Sequence, residues 1–149
     1  MTQHTDRLPI LVIDDSPEDY QSLKRCFSKL GFTNPLVHCE EGQEALNLLE
    51  STGKAKARKA RDVTPGCILL DLNMPGMDGR EVLRFIKTHP RLKQVPVVVL
   101  SSSNDPQDIT TCYRDGANSY MVKPPNFEGL VKSMEAFRTY WLETVEHPV

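Results

Sequence analysis

The chain has 149 residues, a net charge of −2, 39% hydrophobic and 26% charged residues, values that favour one soluble domain around one sizeable core. The near-neutral balance offers no bulk electrostatic case for nucleic acid or an acidic membrane. No apolar stretch approaches the roughly 20 residues that span a bilayer, and the polar segment Met1 to Pro9 lacks a signal-peptide apolar region.

In chain order, Leu8 to Ile13 is a continuous apolar run, as expected of a strand buried on both faces. Ser16-Pro17 reads as N-cap and first helical residue. Leu23, Phe27 and Leu30 keep helical spacing up to Gly31, a stop signal. Pro35 to Cys39 is a short strand, and Glu40 to Glu50 suits a helix. Ser51 to Pro65 is a polar connector with five basic residues between Lys54 and Arg61. Gly66 to Leu70 is the third strand. Pro75-Gly76 and Asp78-Gly79 are turn signals, and Val82, Leu83 and Ile86 mark the inner face of a helix over Arg80 to His89. Val97 to Leu100 is the fourth strand. Asp105-Pro106 opens another helix, which ends at Gly116 and turns Ile109, Cys112 and Tyr113 inward. Ser119 to Val122 is the fifth strand, and a last helix runs from about Asn126 to Val145. The four cysteines, Cys26, Cys39, Cys67 and Cys112, form no Cys-x-x-Cys pair and fit buried thiols of a reducing cytosol. The four histidines show no metal-ligand spacing.

Five βα units in this length predict an α/β doubly wound parallel sheet, flavodoxin-like, with strand order 2-1-3-4-5 and five helices. In such sheets ligands bind beyond the carboxyl ends of the strands. The first strand ends in Asp14-Asp15, the third in Asp71, the fourth in Ser101 and the fifth in Lys123-Pro124. Three carboxylates, a hydroxyl and an ammonium therefore converge. Clustered carboxylates repel unless a cation joins them, and a hard divalent ion with oxygen ligands is the simplest partner. An Asp carboxylate can act as a phosphoryl nucleophile, and in-line transfer needs little beyond positioning and charge neutralisation.

The segment Asp71-Leu72-Asn73-Met74-Pro75-Gly76-Met77-Asp78-Gly79, with the strand-end residues, resembles the receiver domain of two-component response regulators, from about Pro9 to Val145. A single receiver domain, 1–149 with its core about 8–145 and no output domain, is expected. The resemblance implies that Asp71 accepts a phosphoryl group from a sensor histidine kinase. Asp15, Asp71 and the backbone carbonyl of Asn73 would bind Mg2+, with Mn2+ as a substitute and Asp14 acting largely through water. Ser101 and Lys123 would contact the phosphoryl group, Lys123-Pro124 would be cis, and Tyr120 would be the aromatic switch. Phosphorylation would draw Ser101 inward and let Tyr120 turn in from solvent. Asn73 and Ser103 match positions that tune self-dephosphorylation. The protein would not be an enzyme beyond self-phosphorylation and self-dephosphorylation. An Asp-nucleophile phosphatase or mutase is disfavoured, because the position two residues after Asp71 is Asn73 rather than a second Asp.

Two features lie outside the minimal pattern. One is the basic connector, a solvated loop or a docking patch for an acidic partner. The other is the last helix, where Leu130, Met134, Phe137, Trp141 and Val145 should face the core or a partner, and Tyr140 and Leu142 widen the apolar band. A homodimer through the fourth helix, fifth strand and fifth helix is expected. The long connector and aromatic final helix are similar to the small stand-alone response regulators of bacterial and cyanobacterial phytochromes. The competing expectation is a dimerising scaffold that works without phosphorylation. Either protein would be cytoplasmic, with no nucleic acid or membrane partner.

Overall fold

Strand and helix alternate along the chain, and the computed structural model describes residues 8–51, 64–74 and 76–148. The strands are β1 Ile10–Ile13, β2 Leu36–Cys39, β3 Cys67–Leu70, β4 Val97–Ser101 and β5 Ser119–Val122. The helices are α1 Pro17–Leu30, α2 Gly42–Ser51, α3 Gly79–Thr88, α4 Pro106–Arg114 and α5 Phe127–Phe137, which continues as a π-helical segment, Arg138–Thr144. All strand pairs are parallel, in the order β2-β1-β3-β4-β5. This is the predicted doubly wound sheet. The basic connector Lys54–Arg61 and Pro75 lie outside the described residues.

The period of two along each strand divides the interior into two cores. Leu11, Ile13, Ile68, Leu70, Val97 and Val99 pack against α2, α3 and Cys112 of α4. Ile10, Val12, Cys67, Leu69, Val98 and Leu100 pack against Leu23, Cys26 and Phe27 of α1 and Met134 and Phe137 of α5. All four cysteines are buried free thiols. The three central strands are buried throughout, which is why they read as unbroken apolar runs.

Local chemistry sets the element ends. Pro9 has no amide hydrogen to donate, so the first strand begins at Ile10 rather than Leu8. The Ser16 hydroxyl accepts from the Asp19 amide at 3.1 Å and starts α1. Gly31, at φ 75°, ends it in the left-handed conformation that suits glycine. Asp78-Gly79 is not a free turn. Asp78 caps α3, and Glu81 reaches back to the Asp78 amide at 3.0 Å, a capping box. Gly79 is required by a close approach: a Cβ there would lie 2.1 Å from the carbonyl oxygen of Asp71.

Three expectations need correction. Tyr113 is 49% exposed rather than inward. Its hydroxyl accepts from the Tyr120 amide at 3.1 Å, which occupies a backbone donor of the edge strand β5. The Lys123-Pro124 bond is trans, the form that an X-Pro bond ordinarily favours. Finally, the last helix does not stay α-helical through Val145. Beyond Phe137 the turns widen, with the Val145 amide donating to the Tyr140 carbonyl at 3.0 Å. Each turn then holds more residues than an α-helical turn, and Leu142 follows Phe137 into the core. Trp141 is left half-buried, with Tyr140 53% exposed beside it. Arg138 tethers this segment by donating to the Leu30 carbonyl and lying over the Phe32 ring.

Candidate functional site

Backbone register delivers the site. Ile13 pairs with Leu70, so Asp14 and Asp71 emerge side by side from the ends of β1 and β3. The Asp71 amide donates to the Ile13 carbonyl at 2.9 Å and the Asp14 amide to the Cys39 carbonyl at 3.1 Å. On the other side, Ser101 pairs with Val122. The Lys123 amide then donates to the Ser101 carbonyl at 2.8 Å. Four strand ends thus meet at the point where the chain order reverses across β1 and β3.

Asp14, Asp15 and Asp71 each offer an oxygen such that the three atoms lie within 4.8 Å of one another. Asp14 and Asp71 are buried and Asp15 is half-buried. The Lys123 ammonium lies 2.6 Å from Asp19, 3.1 Å from Asp14 and 3.8 Å from Asp71. Ser101 is fully buried, and its hydroxyl oxygen accepts from the Ser103 amide at 3.1 Å. Asn73 is exposed on the β3–α3 loop, and its backbone amide donates to the Asp71 carboxylate.

Burial pushes the Asp71 carboxyl up to about 6, against the pull of Lys123 and with a further push from Asp14 and Asp15. Burial also raises Asp14, offset in part by the Ser16 amide and Lys123. Burial alone would lower Lys123, but its hydrogen bond to Asp19 and the charges of Asp14 and Asp71 hold it above the ordinary lysine value. One ammonium is shared by three carboxylates and compensates none of them fully. The site therefore has surplus negative charge on hard oxygen donors, which fits a divalent cation such as Mg2+ or Mn2+.

Two residues of the site carried no strong signal in the sequence. Asp19 sits on the first turn of α1, and nothing local marks its reach to Lys123 across the sheet ends. His38, on β2, stacks on Tyr20 with ring centroids 3.8 Å apart, and its Nε2 lies 2.8 Å from the Asp14 carbonyl oxygen. The predicted switch residue, Tyr120, is already turned in. Its ring packs against the core and its hydroxyl donates to the Ser103 carbonyl at 2.8 Å. The Ser103 hydroxyl in turn donates to Asp108 at 2.7 Å, and Arg80 pairs with Asp108 at 2.9 Å and Asp78 at 3.0 Å. A polar chain therefore runs from the α3 cap to the ring of Tyr120. Among the described residues no helix is long and apolar enough to cross a membrane.

Known proteins share this fold. Residues 10–135 match the model of the response regulator receiver domain. The chain is 36% identical to the probable methanogenesis regulatory protein FilR2 of Methanothrix harundinacea, over 92% of this chain and 85% of that protein. It is 35% identical to response regulator Rcp1 of a Synechocystis species, over 93% of this chain and 92% of that protein. The structure of the Mn(2+)-bound form of Rcp1 superposes with a TM-score of 0.82 at 34% identity, covering 95% of this chain and 99% of that one. That of the phosphorylated cyanobacterial phytochrome response regulator RcpA superposes with a TM-score of 0.84 at 33% identity, covering 96% and 99%. The chain belongs to the response regulator receiver domain family.

Proposed function

We propose that this chain is a Mg2+-dependent phosphoacceptor that takes a phosphoryl group on Asp71 from a phosphohistidine of a sensor kinase and signals by a change of contact surface. The observation that carries this reading is the position of the buried Asp71 carboxylate. It lies beside Asp14 and Asp15, with the Lys123 ammonium 3.8 Å away. In the transfer, an Asp71 oxygen forms the new P–O bond as the P–N bond to the donor imidazole breaks, and the imidazole leaves with the electron pair and takes a proton. Asp14, Asp15, Asp71 and the Asn73 carbonyl would hold the metal, which when bound neutralises charge on the transferring group. Lys123 pairs with a second phosphoryl oxygen and the Ser101 hydroxyl donates to a third.

The similarity to Rcp1 and RcpA supports a phytochrome-type kinase as donor. The similarity to FilR2 is the reason to test other sensors beside it. The output is a protein contact, and a homodimer through α4, β5 and α5 is the favoured one. Its elements carry Tyr113, Val122 and, just past α5, Tyr140, the exposed large hydrophobic side chains among the described residues. The inward Tyr120 favours a second reading, a scaffold that dimerises without phosphorylation.

The test is incubation with acetyl phosphate and Mg2+, followed by intact-mass measurement and sedimentation. One phosphoryl mass on the wild type and none on Asp71→Asn is the expected result. Failure of the wild type to gain that mass would overturn the proposal. A dimer constant unchanged by phosphorylation would select the scaffold. Phosphotransfer from a panel of kinases, with and without bilin chromophores, then identifies the donor.

A further inference from the structure

We propose that Asp19 is a positioning residue that draws the Lys123 ammonium away from Asp71 and so sets the balance between metal binding and retention of the phosphoryl group. The inference rests on the phosphoacceptor reading above. Three distances carry it. The ammonium is 2.6 Å from Asp19, against 3.1 Å from Asp14 and 3.8 Å from Asp71. Its shortest contact is to the carboxylate that lies outside the Asp14–Asp15–Asp71 cluster.

The first turn of α1 explains why Asp19 is available. Asp19 is the third helical residue after the cap Ser16, the position from which an acidic side chain often reaches back to the cap amide. Here the Ser16 amide donates to Asp14 instead, at 2.9 Å. The Asp19 side chain is thereby free to turn toward β5. The Ser16 hydroxyl accepts from the Asp19 amide, which fixes the backbone from which that side chain projects. The helix N-terminus also favours its negative charge.

Lysine and a divalent ion compete for the same carboxylates, because both neutralise Asp14 and Asp71. Without Asp19 the ammonium would settle on those two residues and oppose the metal. Once Asp71 carries a phosphoryl group, the sign reverses. Asp19 then competes with the phosphoryl oxygens for Lys123 and weakens its hold on them. One residue should therefore act in opposite directions on the two states.

The experiment measures Mn2+ affinity of the unphosphorylated full chain by electron paramagnetic resonance, and the lifetime of the phosphorylated chain by mass spectrometry. Asp19→Asn should weaken metal binding about three- to ten-fold and lengthen the lifetime by a comparable factor. Asp19→Glu should restore wild-type behaviour. Glu18→Gln removes the same charge from the neighbouring residue, which contacts Ser16 and not Lys123, and should change metal affinity less than two-fold. In a Lys123→Met background the Asp19→Asn effect should shrink to that of Glu18→Gln. Equal effects of Asp19→Asn and Glu18→Gln, or an undiminished effect in the Lys123→Met background, would overturn the role assigned to Asp19. Wild-type protein that binds no Mn2+ and accepts no phosphoryl group would defeat the phosphoacceptor reading, and this inference with it.

Discussion

The acidic end of the sheet and its β5 edge are built by different means. At the acidic end, Asp14, Asp71 and Lys123 follow directly from strand residues whose register is set by backbone hydrogen bonds. Their convergence needs no particular rotamer of a distant residue. At the β5 edge and the last helix, Tyr120, Tyr113 and Tyr140 are placed by side-chain hydrogen bonds and by a change of helix pitch. A site anchored in backbone register is hard to move without unfolding the sheet. A face defined by rotamers and a widened helix can be repacked at small cost, which suits the proposed role of reporting a distant charge change. Ser103 joins the two regions, its amide donating to the Ser101 hydroxyl oxygen and its carbonyl accepting from Tyr120.

That contrast can be broken by mutation, and the largest effect belongs to the acidic end. Asp71→Asn should abolish phosphoryl incorporation from acetyl phosphate, read by intact mass, while the fold persists by circular dichroism. In the last helix, Phe137→Ala removes a buried ring whose turn carries the π-helical segment. It should lower unfolding free energy by about 3–5 kcal/mol in urea titrations. Tyr140→Ala, at a 53% exposed position on the same segment, should change stability by no more than about 0.5 kcal/mol. A large destabilisation by Tyr140→Ala would mean that the exposed edge is as rigidly built as the core.

A pH experiment sharpens the other half of the comparison. The Asp71 carboxyl rises from 3.8 in the unfolded chain to about 6 in the metal-free fold. A raised carboxyl favours the folded state below about pH 4, and that contribution is lost as pH rises through about 6. Without Mg2+, wild type should therefore lose stability relative to Asp71→Asn between those limits, by no more than about 3 kcal/mol. Adding Mg2+ at pH 7.5 should restore much of it, seen as a higher Tm. An Asp71→Asn chain less stable than wild type at pH 7.5 in a chelator would contradict the assigned surplus charge. A smaller effect than at Asp71 is expected from Tyr120→Phe, which deletes the hydrogen bond to the Ser103 carbonyl. It should lower stability by about 1 kcal/mol and free the ring to turn outward, seen as line broadening in ring NMR signals.

The alternation of apolar runs with helical spacing was enough to read the sheet, its strand order and the caps at Ser16, Gly31 and Asp105, because these depend on local chemistry and on a period of two or 3.6. The cluster Asp14, Asp15, Asp71, Ser101 and Lys123 was legible for the same reason. Parallel strands bring consecutive strand ends to one side whatever their loops do. What was not legible depended on contacts between residues remote in sequence. Asp19 meets Lys123 across a separation of 104 residues. Tyr113 turns outward because its hydroxyl finds the Tyr120 amide. The inward pose of Tyr120 depends on the Ser103 carbonyl. The full burial of Leu142 depends on a widened helix tethered by Arg138 to the Leu30 carbonyl. By itself, then, the sequence determined the sheet, its acidic end and the residue types able to do phosphoryl chemistry, because each follows from local periodicity and strand polarity. Only the tertiary structure decided which carboxylate holds the lysine and which aromatic rings face outward, because those are competitions among partners that the chain brings together only when folded.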